Sequence, residues 1–116
     1  MTNKEINEAV AKQLGWKHEF SEAKGEWRWI APSDGMSWLA CDEYASSYDN
    51  AHEILNHIAA NRPAMSAAFL NALRDVLAPW MPKNKAGSPI ISDFDLLMAS
   101  PKEICLAFLK VKGVKV

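Results

Sequence analysis

The stretch SPKEICLAFLKVKG, from Ser100 to Gly113, encodes a helix with both of its ends written in. Ser100 offers a side-chain oxygen to the free N–H groups of the first turn. Pro101 suits the first helical position, where a missing N–H costs nothing, and Glu103 sits where its carboxylate reaches back to the cap's own N–H. Ile104, Ala107, Phe108 and Val111 then recur on one face, and Gly113 supplies the left-handed residue that ends the helix. The rest of the chain has to provide the surface that covers this face.

Three further helices are expected. Residues 2–14 open on another capping box, Thr2 with Glu5, carry Ile6, Val10 and Leu14 on one stripe with Ala9 beside it, and stop at Gly15. After a loop over 42–48, with Asp49 or Asn50 as its cap, a central helix places Ala51, Ile54, Leu55, Ile58 and Ala59 on one face. The break Asn61-Arg62-Pro63 precedes a helix over 66–78 with Phe69, Leu70, Leu73, Val76 and Leu77 inward, which Pro79 and Pro82 end.

Between the first two helices, the runs 27–31 and 36–40 flank Pro32-Ser33-Asp34-Gly35, where Pro favours the start of a turn and Gly accepts a positive φ. This predicts a β-hairpin. With Ala31 facing Met36, Trp29 lies opposite Trp38, and Trp27 joins them on the same face because strand side chains alternate. Residues 83–89, with two Lys, a Gly and a Pro, form a flexible internal loop, and Ile90-Ile91 and 94–98 are short apolar runs compatible with strands. The fold class is therefore α+β: a small antiparallel sheet, including a Trp-rich hairpin, packed against three to four α-helices. A chain of 116 residues holds one core of ordinary size, so 1–116 is expected to be a single domain.

Several function classes are disfavoured. The apolar runs are too short to span a bilayer, residues 1–20 lack a secretory signal, and no helix presents a dense basic face, so a cytoplasmic protein without a membrane partner is expected. Cys41 and Cys105 stand apart in sequence and read as buried free thiols. The net charge of −1 hides an asymmetry: residues 1–58 carry −5 and residues 59–116 carry +4. Complementary halves folding against one another explain this, with an acidic face offered to a basic partner as the functional alternative.

No catalytic constellation emerges. His52 and His57 resemble a zinc-protease pair but have one residue too many between them, which places them about 140° apart around a helix. Asp49, Glu53 and His57 do share one helical side, where a solvated face with a Glu53 to His57 pairing is the simpler reading. Neither a nucleophile elbow nor a phosphate-cradling glycine loop occurs. The expectation is no enzyme, no metal and no cofactor. Five tryptophans are many for this length; most are expected in the core, the alternative being a binding surface, since tryptophan and arginine dominate binding hot spots. Arg28, Trp80 and Asp34 are the residues expected to meet a partner. Arg28 lies on the hairpin face opposite Trp27 and Trp29, and so points outward if the Trp face is inward.

The segments EINEAVAKQLGW (5–16), Trp29 followed by Pro32, YASSYDNAHEILNHI (44–58) and LLMASPKEICLAFLKVKG (96–113) together resemble the phage ABA sandwich domain family. The resemblance spans both ends and the central helix, and the sequence departs from the pattern between Arg62 and Pro89. It implies helices packed on an antiparallel sheet, a bacteriophage or prophage source and no catalytic residue. The function expected from it is a small accessory protein that binds a host or phage protein in the host cytoplasm, with counter-defence, such as inhibition of a CRISPR effector, as its sharper form. The alternative is a nucleic-acid-associated accessory protein using Arg62, Arg74, Lys83, Lys85, Lys110, Lys112 and Lys115.

Overall fold

Both capping boxes form. In the computed structural model, which describes residues 1–61 and 64–115, Thr2 and Glu5 open helix α1 (Asn3–Gln13) by accepting each other's backbone N–H groups at 3.2 Å. Gly15, at a φ of +101°, turns the chain away from α1, and a Cβ there would stand 3.5 Å from the Pro32 side chain.

A three-stranded antiparallel sheet follows, β1 (Lys17–Ser21), β2 (Glu26–Ile30) and β3 (Ser37–Trp38), in the order β1-β2-β3. The β2–β3 register is the expected one: Trp29 pairs with Trp38, and the Ala31 N–H donates to the Met36 carbonyl at 3.0 Å. Strand β1 was not anticipated. It pairs with all of β2, His18 with Trp29 and Phe20 with Trp27, while β3 is shorter than the expected run 36–40.

Helix α2 (Tyr48–Ala60) is capped by Ser47, whose Oγ accepts from Asn50 N–H, instead of by Asp49 or Asn50. Asp49 thereby falls in the first turn, where a negative charge suits the positive helix end. Of the expected stripe, Ala51, Ile54 and Ile58 are buried, whereas Ala59 is exposed. Helix α3 (Ala64–Leu77) runs into a 3-10 turn (Ala78–Trp80) at Pro79. The expected break at Arg62 and Pro63 lies outside the described residues.

The run 94–98 is not a strand. Ser92 and Asp95 form a third capping box and start a short helix, α4 (Asp93–Leu97), and a local box outweighs the strand tendency of so short a run. Ile90 and Ile91 likewise join no strand; Ile90 N–H donates to the Pro82 carbonyl at 2.7 Å. The 83–89 loop closes on itself, with Asn84 Oδ1 accepting from the N–H groups of Ala86 and Ser88 and a bridge from Lys83 to Pro89.

Helix α5 (Pro101–Val111) begins at the Ser100–Glu103 box and packs against α1, α2 and α3. Its residues Cys105, Ala107, Phe108 and Leu109 are wholly buried, joined in the core by Ile6, Val10, Tyr44 and Ile54. The result is an α+β fold with a helical core and a small sheet at its flank. Both cysteines are free and buried.

Two expectations are corrected. Only Trp16 and Trp29 are core residues, whereas Trp27 and Trp38 on the sheet are 59% and 49% exposed, the strands packing mainly on one another, and Trp80 on the 3-10 turn is 78% exposed. Nor, among the described residues, does any ion pair join the oppositely charged halves. The two ion pairs among the described residues, Arg28 with Glu26 and Lys110 with Asp75, each lie within one half.

Candidate functional site

Alternation along three strands gathers His18, Phe20, Trp27, Trp29 and Trp38 on one face of the sheet. The His18 ring stacks on Trp29, centroids 4.3 Å apart and nearly parallel, and Phe20 meets Trp27 edge to face at 5.8 Å. Trp29 is the buried member of the group; Phe20, Trp27 and Trp38 are half exposed or more, as are Met36 and Leu39 nearby. Wherever this face looks toward α1, a cleft of about 530 Å³ opens, lined by Asn3, Lys4, Glu8, His18, Trp27 and Leu39, among others.

Trp38 also forms part of a second cleft, of about 430 Å³, between the β2–β3 turn and α2. Trp16 contributes a second indole to it, and Asp34, Asp42, Glu53 and His57 line its polar side, with no lysine or arginine among the lining residues. Behind it lies a relay of hydrogen bonds: Trp16 Nε1–H donates to Tyr44 Oη at 2.9 Å, and the Tyr44 hydroxyl donates to Glu53 Oε2 at 3.1 Å.

Burial raises the carboxyl pKa of both Asp42 and Glu53 above the ordinary range, the Tyr44 bond partly offsetting this for Glu53. Burial, seconded by Lys112, lowers that of His57, whose Nε2 is buried with no hydrogen-bond partner among the described residues. None of the cleft's carboxylates has an ion-pair partner among the described residues.

Tyr44 is fully buried, so removing its hydroxyl alone isolates the relay. Tyr44→Phe is expected to cost about 1–3 kcal/mol, since it strands the Trp16 N–H in a buried position. Urea denaturation measures this, and a cost below about 0.5 kcal/mol would show that the bond carries no net stabilisation in solution.

The three residues expected to meet a partner occupy separate places. Asp34 is in the acidic cleft, although its Oδ1 also accepts from Met36 N–H at 2.9 Å to hold the turn. Arg28, on the opposite face of the sheet, is largely buried and committed, pairing with Glu26 at 2.6 Å and donating to Ser37 Oγ and the Ser37 carbonyl at 3.0 Å. Trp80 stands on the 3-10 turn after α3, far out in solvent. Glu53 turns to Tyr44 and makes no bond with His57, and among the described residues no three potential ligands converge on a metal position.

The thiol pKa is pushed up by burial to about 11 at Cys41 and about 12 at Cys105, so neither supplies a thiolate nucleophile near neutrality. Of the basic residues considered for nucleic acid, Lys110 is paired with Asp75, Lys112 lies over the Phe108 ring, and Arg62 lies outside the described residues. Among the described residues no helix is long and apolar enough to cross a membrane.

Residues from positions 14 to 57 meet in the acidic cleft, and sequence reading missed Trp16, Trp38 and Asp42 as its partners. The period-two alternation of Lys17, His18, Glu19 and Phe20 was the available signal for β1 and the wider aromatic face. No family model matches the chain, and no curated protein or solved structure matches it either.

Proposed function

We propose that this chain is a small non-enzymatic bacteriophage or prophage accessory protein that binds another protein in the host cell. In this reading a basic, extended segment of the partner lies over the aromatic sheet face and places an arginine or lysine in the acidic cleft. The observation that carries it is the pairing of two indoles, Trp16 and Trp38, with three carboxylates, Asp34, Asp42 and Glu53, in a cleft lined by no cation. A cation entering there gains the ring faces and relieves carboxylates that burial has made costly to ionise. Trp38 shares its sheet face with the exposed Trp27 and Phe20, so a segment longer than one residue has apolar surface on that face to lie on. The phage source rests on the family resemblance and a counter-defence role on the short chain without an enzymatic motif, and plaque counts on hosts with and without each defence system test that part.

The cationic partner also separates this reading from nucleic-acid binding, because the site lies in the half of the chain that carries −5 and repels phosphate. Intrinsic tryptophan fluorescence, titrated with an arginine-rich hexapeptide, its glutamate counterpart and duplex DNA, tests it. The basic peptide alone is expected to bind, and Asp42→Asn with Glu53→Gln is expected to weaken it about tenfold. Equal response to both peptides, no response to either, or DNA binding at low salt would overturn the proposal.

A further inference from the structure

On the helical side, α3 and α4 enclose an apolar groove of about 420 Å³, with Phe69, Leu73, Leu96 and Ile104 among its lining residues. Leu97 of α4 and Leu70 of α3, both on its lining, are 81% and 40% exposed, and Phe94 of α4 and Met98, which follows α4, are 67% and 64% exposed. Singly exposed apolar residues are ordinary, but two on the lining of one apolar groove, with two more close by in sequence, form the kind of patch that marks an interface.

The two charged residues of the groove are Arg74 and Asp93. Neither has an ion-pair partner among the described residues. With one charge of each sign, the groove selects neither a basic nor an acidic foreign partner by net charge. A two-fold axis gives that same pattern a function. Such an axis brings one patch against its own copy, so an apolar groove lined by one cation and one anion can complement itself, the cation–anion pair forming twice, once on each side of the axis.

The geometry points to a second copy of this chain as the occupant. In the resulting dimer Leu97 of each protomer enters the other's groove, and Arg74 pairs with the partner's Asp93 on both sides of the axis. One groove and its rim on each protomer make a modest contact, so the dimer is expected to have a dissociation constant in the micromolar range. This interface lies on the helices and is independent of the acidic cleft, so each proposal stands or falls without the other.

Sedimentation velocity on the full chain, from about 1 to about 200 µM, reads the equilibrium directly. The expected result is a mass that rises from one chain toward two across that range. Leu97→Asp is expected to abolish the rise without unfolding, since the residue is exposed; circular dichroism checks the fold. Arg74→Glu and Asp93→Arg are each expected to weaken association about tenfold, and the double reversal to restore it. A single-chain mass at every concentration, a dimer indifferent to Leu97→Asp, or a double reversal no better than either single change would overturn the proposal.

Discussion

Replacing Phe108 with alanine is expected to cost about 3–5 kcal/mol of folding stability, lowering the urea midpoint with little change in slope. The ring is fully buried on α5, the helix that packs against α1, α2 and α3, so the cavity left behind opens where several elements meet. It also meets the His57 imidazole edge to face, with centroids 5.7 Å apart, and has the Lys112 ammonium 5.8 Å from its centroid. Losing the ring removes the neighbour that seats the half-buried His57 imidazole, whose buried Nε2 lacks a hydrogen-bond partner among the described residues. Domains of this size are stable by only about 5–15 kcal/mol, so the variant loses much of its margin. The control is Phe94→Ala, the same deletion at a residue 67% exposed, which is expected to change stability by less than about 0.5 kcal/mol. Similar losses from both would mean that α5 is not the hub of the core.

What could be read from the sequence was what the chain decides over a few residues. The Thr2–Glu5 and Ser100–Glu103 boxes are visible because donor and acceptor lie three residues apart, and the Trp29–Trp38 register because a four-residue turn fixes it. The same local logic, applied to Ser92 and Asp95, would have found α4, whose five residues are too short for a helical stripe to show. Ser47 was overlooked because three polar residues, Ser47, Asp49 and Asn50, compete for one cap, and only the geometry of the preceding loop selects among them.

Burial was misread for a different reason. Whether a tryptophan is covered depends on which distant segment packs on it, and no periodicity reports that Trp29 reaches cover while Trp27, two residues earlier on the same face, remains open. The acidic cleft was invisible on the same ground. Its residues come from the end of α1, the turn, the loop after β3 and α2, and become neighbours only when the chain closes. Charge asymmetry between halves, in turn, suggested pairing across the chain, yet Arg28 found Glu26 two residues away and Lys110 found Asp75 on the adjacent α3.

That contrast between Trp27 and Trp29 yields the second large effect. Trp29→Ala is expected to cost about 3–5 kcal/mol in the stability of the sheet, because the indole is 2% exposed and is the sheet's one ring held in the core. Its removal also strips His18 of the parallel ring 4.3 Å away, an aromatic contact worth about 0.5–1.5 kcal/mol beyond the buried area. Since β1 is exposed along nearly all its length, little else fastens it, and the loss should appear as local opening. Hydrogen exchange is expected to accelerate at the β1 and β2 amides while those of α5 remain protected. Trp27→Ala, 59% exposed on the same strand and face, is expected to leave exchange nearly unchanged but weaken the basic peptide. Two identical side chains, two residues apart, thus separate the ring that holds the sheet from the ring that meets a partner. Rapid exchange throughout α5 in Trp29→Ala would show instead that sheet and helices unfold as one unit.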